Sequence, residues 1–164
     1  MLVTRRSLEG RMREIREASA AQHIRGARIA PADSPRTGDL LGRVEIPRLG
    51  MSSVILEGVS GAVLDLAVGH LPDRAPFGRG NMVLAAHRDQ QFRDLRNVEV
   101  GDRVRVETPR ESLEYRVVWT KVTTPSDVST IAPGGDDVLT LVTCYPFHWV
   151  GPAPRRFIVR AVRV

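Results

Sequence analysis

The sequence predicts an all-β fold, a barrel or sandwich, on three observations. Short β-branched runs recur between turn signals, 11 prolines and 14 glycines are spread through the chain, and the one long helix-like pattern is confined to the N-terminus. A chain of 164 residues with no repeat at a solenoid period is long enough for a single core. The expected division is an N-terminal segment and linker over 1–37, followed by one barrel domain over 38–164.

From Thr4 to about Ile29 the small or apolar residues Leu8, Met12, Ile15, Ala18 and Ile24 stand among many charges, the pattern of a thin amphipathic helix. Such a helix either lies across the barrel or forms a stalk. Residues 30–39, with Pro31, Pro35 and Gly38, read as a linker. Strands are expected at 41–47, where Val44 and Ile46 alternate with charged neighbours, and at 53–57. Residues 61–68 carry Val63, Leu64 and Ala67 at helical spacing, and 69–78 are rich in turn residues. A strongly apolar strand at 81–86 stops at His87, and 88–96 are expected to make a turn or two of helix around Phe92 and Leu95. Strands follow at 103–107 and 113–122, then a long, mobile connection over 121–137 with two prolines and Gly134-Gly135. The last two strands, 138–143 and 157–164, flank a loop from Tyr145 to Arg155.

The formal net charge of +5 raises a nucleic-acid partner, yet the arginines are scattered, Lys121 is the only lysine, and aromatic residues are too few for a stacking platform. No nucleic-acid partner is expected. One cysteine excludes an internal disulfide, and no stretch approaches the ~20 apolar residues of a membrane-spanning helix.

That cysteine, Cys144, sits where a β-branched run opens into Tyr145-Pro146-Phe147. A free cysteine is commonly a small apolar packing group. A strand end, however, is where a rigid scaffold presents reactive groups. Val83-Leu84-Ala85-Ala86 runs into His87 in the same way. Were the two strands parallel neighbours, a thiol and an imidazole would share one rim. Such a pair supports acyl transfer: the thiolate attacks a carbonyl and the imidazolium protonates the departing amine. Negative charge then develops on oxygen, and Arg156, which opens the last strand, offers a permanently charged donor for it.

The strings GDLLGRVEIPRLG, VGHLPD, AAHRD, TLVTCYPF and APRRFIV, in that order over 38–164, closely resemble the sortase family, and most of all its class D branch. The resemblance implies a closed eight-stranded barrel and a membrane-anchored cysteine transpeptidase on the outer face of the cell membrane. It implies cleavage of an LPxTG-type C-terminal sorting signal after threonine, a thioester intermediate, and transfer to an amine on a cell-wall precursor or a pilin lysine. Carried over, Cys144 is the nucleophile, His87 the general acid and base, and Arg156 the group that orients the signal and stabilises the oxyanion. Arg156 is preferred to Arg155 because it directly precedes the apolar run, and alternation sends the two to opposite faces. Thr143 is expected either to position the acyl group or simply to pack. The 121–137 connection is expected to line the groove for the signal's leucine and proline.

Other readings are weaker. A zinc site at Cys144 and His148, with His70 or His87, lacks paired ligand spacing. Some relatives order the 121–137 region with calcium, but Asp127, Asp136 and Asp137 are too few for a site, so neither metal nor cofactor is expected. His23 reads as solvated, His70 as a structural hydrogen-bonding residue, His148 as the rim of the cleft, and Asp89 as either an orienter of His87 or a helix cap. The functional alternatives are a silent barrel that binds extended peptides, and a cysteine peptidase or amidase that only hydrolyses.

Overall fold

The computed structural model describes residues 25–30, 34–72 and 75–164. The expected N-terminal helix lies, through residue 24, outside the described residues. Its predicted end does not hold: Ile29 forms a bridge with Leu40, and the Leu40 amide donates to the Arg28 carbonyl. Arg28 also clamps Asp39 through two side-chain hydrogen bonds of 3.0 and 2.5 Å. Among the described residues no helix is long and apolar enough to cross a membrane.

Eight strands close into a barrel: β1 (Leu40–Ile46), β2 (Met51–Glu57), β3 (Val68–His70), β4 (Asn81–Ala85), β5 (Arg103–Glu107), β6 (Ser112–Thr123), β7 (Val138–Tyr145) and β8 (Arg155–Arg163). Around the barrel they run β1-β2-β3-β4-β7-β8-β6-β5. Closure leaves no unpaired sheet edge, which suits a fold made of short strands. The β2–β3 and β4–β7 pairs are parallel and the others antiparallel.

Period-two alternation sorts each strand. Leu139 and Leu141 of β7, Met82 and Leu84 of β4, Val159 and Ala161 of β8, and Leu113, Tyr115 and Val117 of β6 are buried in one core cluster. Each large apolar side chain taken fully from water contributes roughly 1.5–3 kcal/mol. Thr140, Val142 and Cys144 therefore point outward from β7, with Ile158 and Arg160 beside them on β8. A bulge at Val118 in β6 breaks the register between Val117 and Trp119, bringing Trp119 opposite Arg160 on the outer face.

Seven of these strands follow from the sequence pattern, and β3 does not. Residues 61–68 hold only the short helix α1 (Gly61–Leu64), capped by the Ser60 hydroxyl, before the chain extends into Val68-Gly69-His70. A β-carbon on Gly69 would lie 2.3 Å from the Gly58 carbonyl oxygen, so only glycine lets β3 come this close to the chain beyond β2. His70, expected to be structural, is buried on β3 and bonds Glu57 through Nδ1 at 2.8 Å.

The 124–137 connection is hydrogen-bonded to the barrel. Asn81 donates from Nδ2 to the carbonyls of Thr130 and Ala132, both at 3.0 Å, and Arg160 donates to Thr130 at 2.8 Å. Thr140 completes the cluster, donating to Asn81 Oδ1 at 2.5 Å and accepting from Arg160 Nε at 3.0 Å.

Candidate active site

Two registers build the site. In the parallel β4–β7 pair, Val83 lies beside Thr140 and Ala85 beside Val142, both pairs on the outer face. The ladder continues one step past β4, where the Ala86 amide donates to the Val142 carbonyl at 3.3 Å. His87 and Cys144 each stand two residues beyond the last register pair, Ala85 and Val142. In the antiparallel β7–β8 pair, Cys144 stands directly opposite Arg156. Of the three, Cys144 and Arg156 are thus direct cross-strand partners, while His87 follows the end of the neighbouring β4. Arg155 is opposite Tyr145, one step along.

Each side chain is held by local bonds. Thr143, on the face opposite Cys144, is buried, and its hydroxyl donates to the Ala86 carbonyl at 2.8 Å. Its side chain is committed to joining β7 to the segment that carries His87. The His87 backbone carbonyl accepts from Gln90 and Phe92, which starts the turn that leads to the 3₁₀ helix at Arg93–Asn97. The His87 ring meets Asp65, the residue that caps α1, with Nε2 and Oδ1 3.2 Å apart. Asp89 plays neither expected part: the ring's partner is Asp65, and the 3₁₀ helix has no side-chain cap. Asp65 carried no motif in the sequence, and only the docking of α1 against β3 brings it here.

Arg156 donates to the carbonyls of Ala153 and Arg155, at 3.2 and 2.9 Å, which holds the guanidinium at the mouth of the β7–β8 loop. Across that loop Arg88 reaches the carbonyls of Trp149 and Gly151, at 2.7 and 3.0 Å. His148 is exposed on the same loop. Cys144 is a free thiol, half-buried, on the outer face of β7. Such an arrangement sets a thiol opposite a guanidinium with an imidazole on the adjoining chain, groups whose chemistry acyl transfer through a thioester can use.

Among the described residues no three His, Cys, Asp or Glu side chains converge to hold a metal. Asp127 accepts instead from Thr123, Ser129 and Lys121, and Asp137 from the Gly80 amide. A cavity of about 620 Å³ lies against Arg48, Leu49 and Arg96 to Glu99 and touches none of His87, Cys144 and Arg156.

The comparisons with known proteins agree with this fold. The Sortase domain family model matches residues 44–164. Sortase D of Bacillus subtilis (strain 168) is 38% identical over 132 residues, which cover 79% of this chain and 67% of that protein. Sortase A of Listeria monocytogenes is 28% identical over 109 residues, 64% of this chain and 49% of its own length. The chain therefore spans about half to two thirds of the length of these relatives. A solved structure of a Clostridium perfringens Sortase D5 transpeptidase is similar with a TM-score of 0.71 at 26% identity, over 90% of this chain and 88% of that one. A match that runs from β1 through β8, and takes in all three strand ends bearing His87, Cys144 and Arg156, makes this chain a member of the sortase family of cysteine transpeptidases.

Proposed function

We propose that this chain cleaves an LPxTG-type sorting signal after its threonine and transfers the protein to an amine, on a cell-wall precursor or a pilin lysine. The observation that supports the reading is the β7–β8 register that sets Cys144 opposite Arg156, with His87 just past the end of the neighbouring β4. The Cys144 thiolate adds to the threonine carbonyl carbon, and the developing oxyanion is met by the Arg156 guanidinium. The carbon–nitrogen bond to the next residue breaks as His87 gives its proton to the leaving amine, leaving a thioester. The acceptor amine then adds to the thioester, His87 takes its proton, and the thiolate departs. Asp65 beside Nε2 and Thr143 behind Ala86 act as positioning residues for the imidazole.

The work belongs on the outer face of the cell membrane. The test is incubation with an LPxTG-type peptide and hydroxylamine, read by mass spectrometry. Expected are an acyl-enzyme on Cys144, a threonine hydroxamate, and no product from Cys144→Ala. Hydrolysed peptide without hydroxamate would instead identify a peptidase, and retention of intact peptide a binding barrel.

A further inference from the structure

A second cavity, about 390 Å³, opens on the same outer face and plays no part in the chemistry above. It is lined by Trp119, Thr120, Lys121, Ser129, Thr130 and Arg160. Three features mark it as a site for an anion. Arg160 is drawn partly out of water, yet its hydrogen bonds go only to a hydroxyl and a carbonyl, with no carboxylate among the described residues to balance it. Burial alone pushes its guanidinium below the usual range, as for a cation without a counter-charge. The Thr130 hydroxyl, in a residue 4% exposed, has no hydrogen-bond partner. Finally, the Trp119 ring lies 5.0 Å from the guanidinium carbon of Arg160 and walls one side. Lys121 adds positive charge at the rim, shared with Asp127 at 3.2 Å.

The registers fix where this pocket stands relative to the thiol. From Cys144 to Thr140 is four residues, about 13 Å along the strand, and Arg160 lies opposite Thr140 one strand over. The separation is therefore about 14 Å to Arg160 and about 16 Å to Trp119 on the next strand, four to five residues of extended peptide. The direction is toward the 124–137 connection.

Resting on the sorting-signal reading above, we propose that this pocket selects signals carrying an acidic residue immediately ahead of the motif's leucine. The carboxylate accepts from Arg160 and the Thr130 hydroxyl, and no bond is made or broken there. Arg160, Lys121 and Thr130 are thus specificity residues rather than catalytic ones.

The test compares peptides with Glu, Gln or Lys at that position. A hydrogen bond to a charged group predicts a kcat/KM about ten-fold higher for Glu than for Gln, carried by KM and shrinking in high salt. The preference should fall in Arg160→Gln, in the exposed Lys121→Gln, or in both. Equal values for Glu and Gln in the unmodified protein, or a preference undiminished in both variants, overturn the proposal. A binding arm is independent of turnover: in Trp149→Phe the remaining indole is Trp119, and the Glu peptide should change its emission at lower concentration than the Gln peptide. If no peptide is cleaved, the transferase reading falls, and this arm alone decides the pocket, equal titrations overturning it.

Discussion

Replacing Asn81 by leucine tests how the long connection is held over the outer face. The two side chains are similar in size, and Asn81 is 5% exposed, so the change is chiefly the loss of polar bonds. Three go: two from Nδ2, to Thr130 and Ala132, and one from Thr140 to Oδ1. Arg160 still serves the Thr130 carbonyl and still donates to the Thr140 hydroxyl, so only the Ala132 carbonyl loses its side-chain donor. At about 1 kcal/mol for each net bond, with an added cost for the abandoned carbonyl where water does not reach it, the loss is roughly 3–4 kcal/mol. Because the bonds join the connection to the barrel, most of this should appear as local opening. Hydrogen exchange should show amides of 126–137 exchanging a hundred-fold or more faster, while the β1–β5 amides change little. Unaltered exchange in the connection, with normal folding, would refute the idea that Asn81 anchors it.

Two further predictions concern side chains outside the reacting trio. Thr143→Val keeps the shape but strands the Ala86 carbonyl, at a cost of about 1–3 kcal/mol. Thr143→Ser keeps the hydroxyl, so urea unfolding and the rate of Cys144-dependent hydroxamate formation should both place serine nearer the original protein than valine. Asp127 is held well below the usual carboxylate range by bonds from Ser129 and Thr123, with Lys121 adding to them. Its stabilisation is therefore complete above the unfolded value of about 3.9 and is lost as pH falls through the lower folded value. Exchange protection at the start of the connection should decline below about pH 4, and Asp127→Asn should lack that decline.

Much of the site was legible because its members end strands whose signals are local. Val138 to Thr143 and Val83 to Ala86 show their β character in a few adjacent residues, so the exits at Cys144 and His87 could be read directly. Arg156 is preferred to Arg155 on the family resemblance, with alternation separating the two faces, and in the β7–β8 register Arg156 lies opposite Cys144 and Arg155 opposite Tyr145. The helical spacing of residues 61–68 misled by contrast. Val68-Gly69-His70 is too short and too glycine-dependent to signal a strand, and it is one only because β2 and β4 stand on either side.

The sequence by itself determined the β class, seven of the eight strands, and which residues could carry acyl transfer, since those properties reside in side-chain chemistry and period-two alternation. Tertiary structure alone decided that β4 and β7 run parallel side by side, that Asp65 meets His87, and that Asn81 and Arg160 bind the 124–137 connection. Each of these joins residues 20 or more positions apart, and such pairings are set by how the whole core closes rather than by any pattern within a single segment.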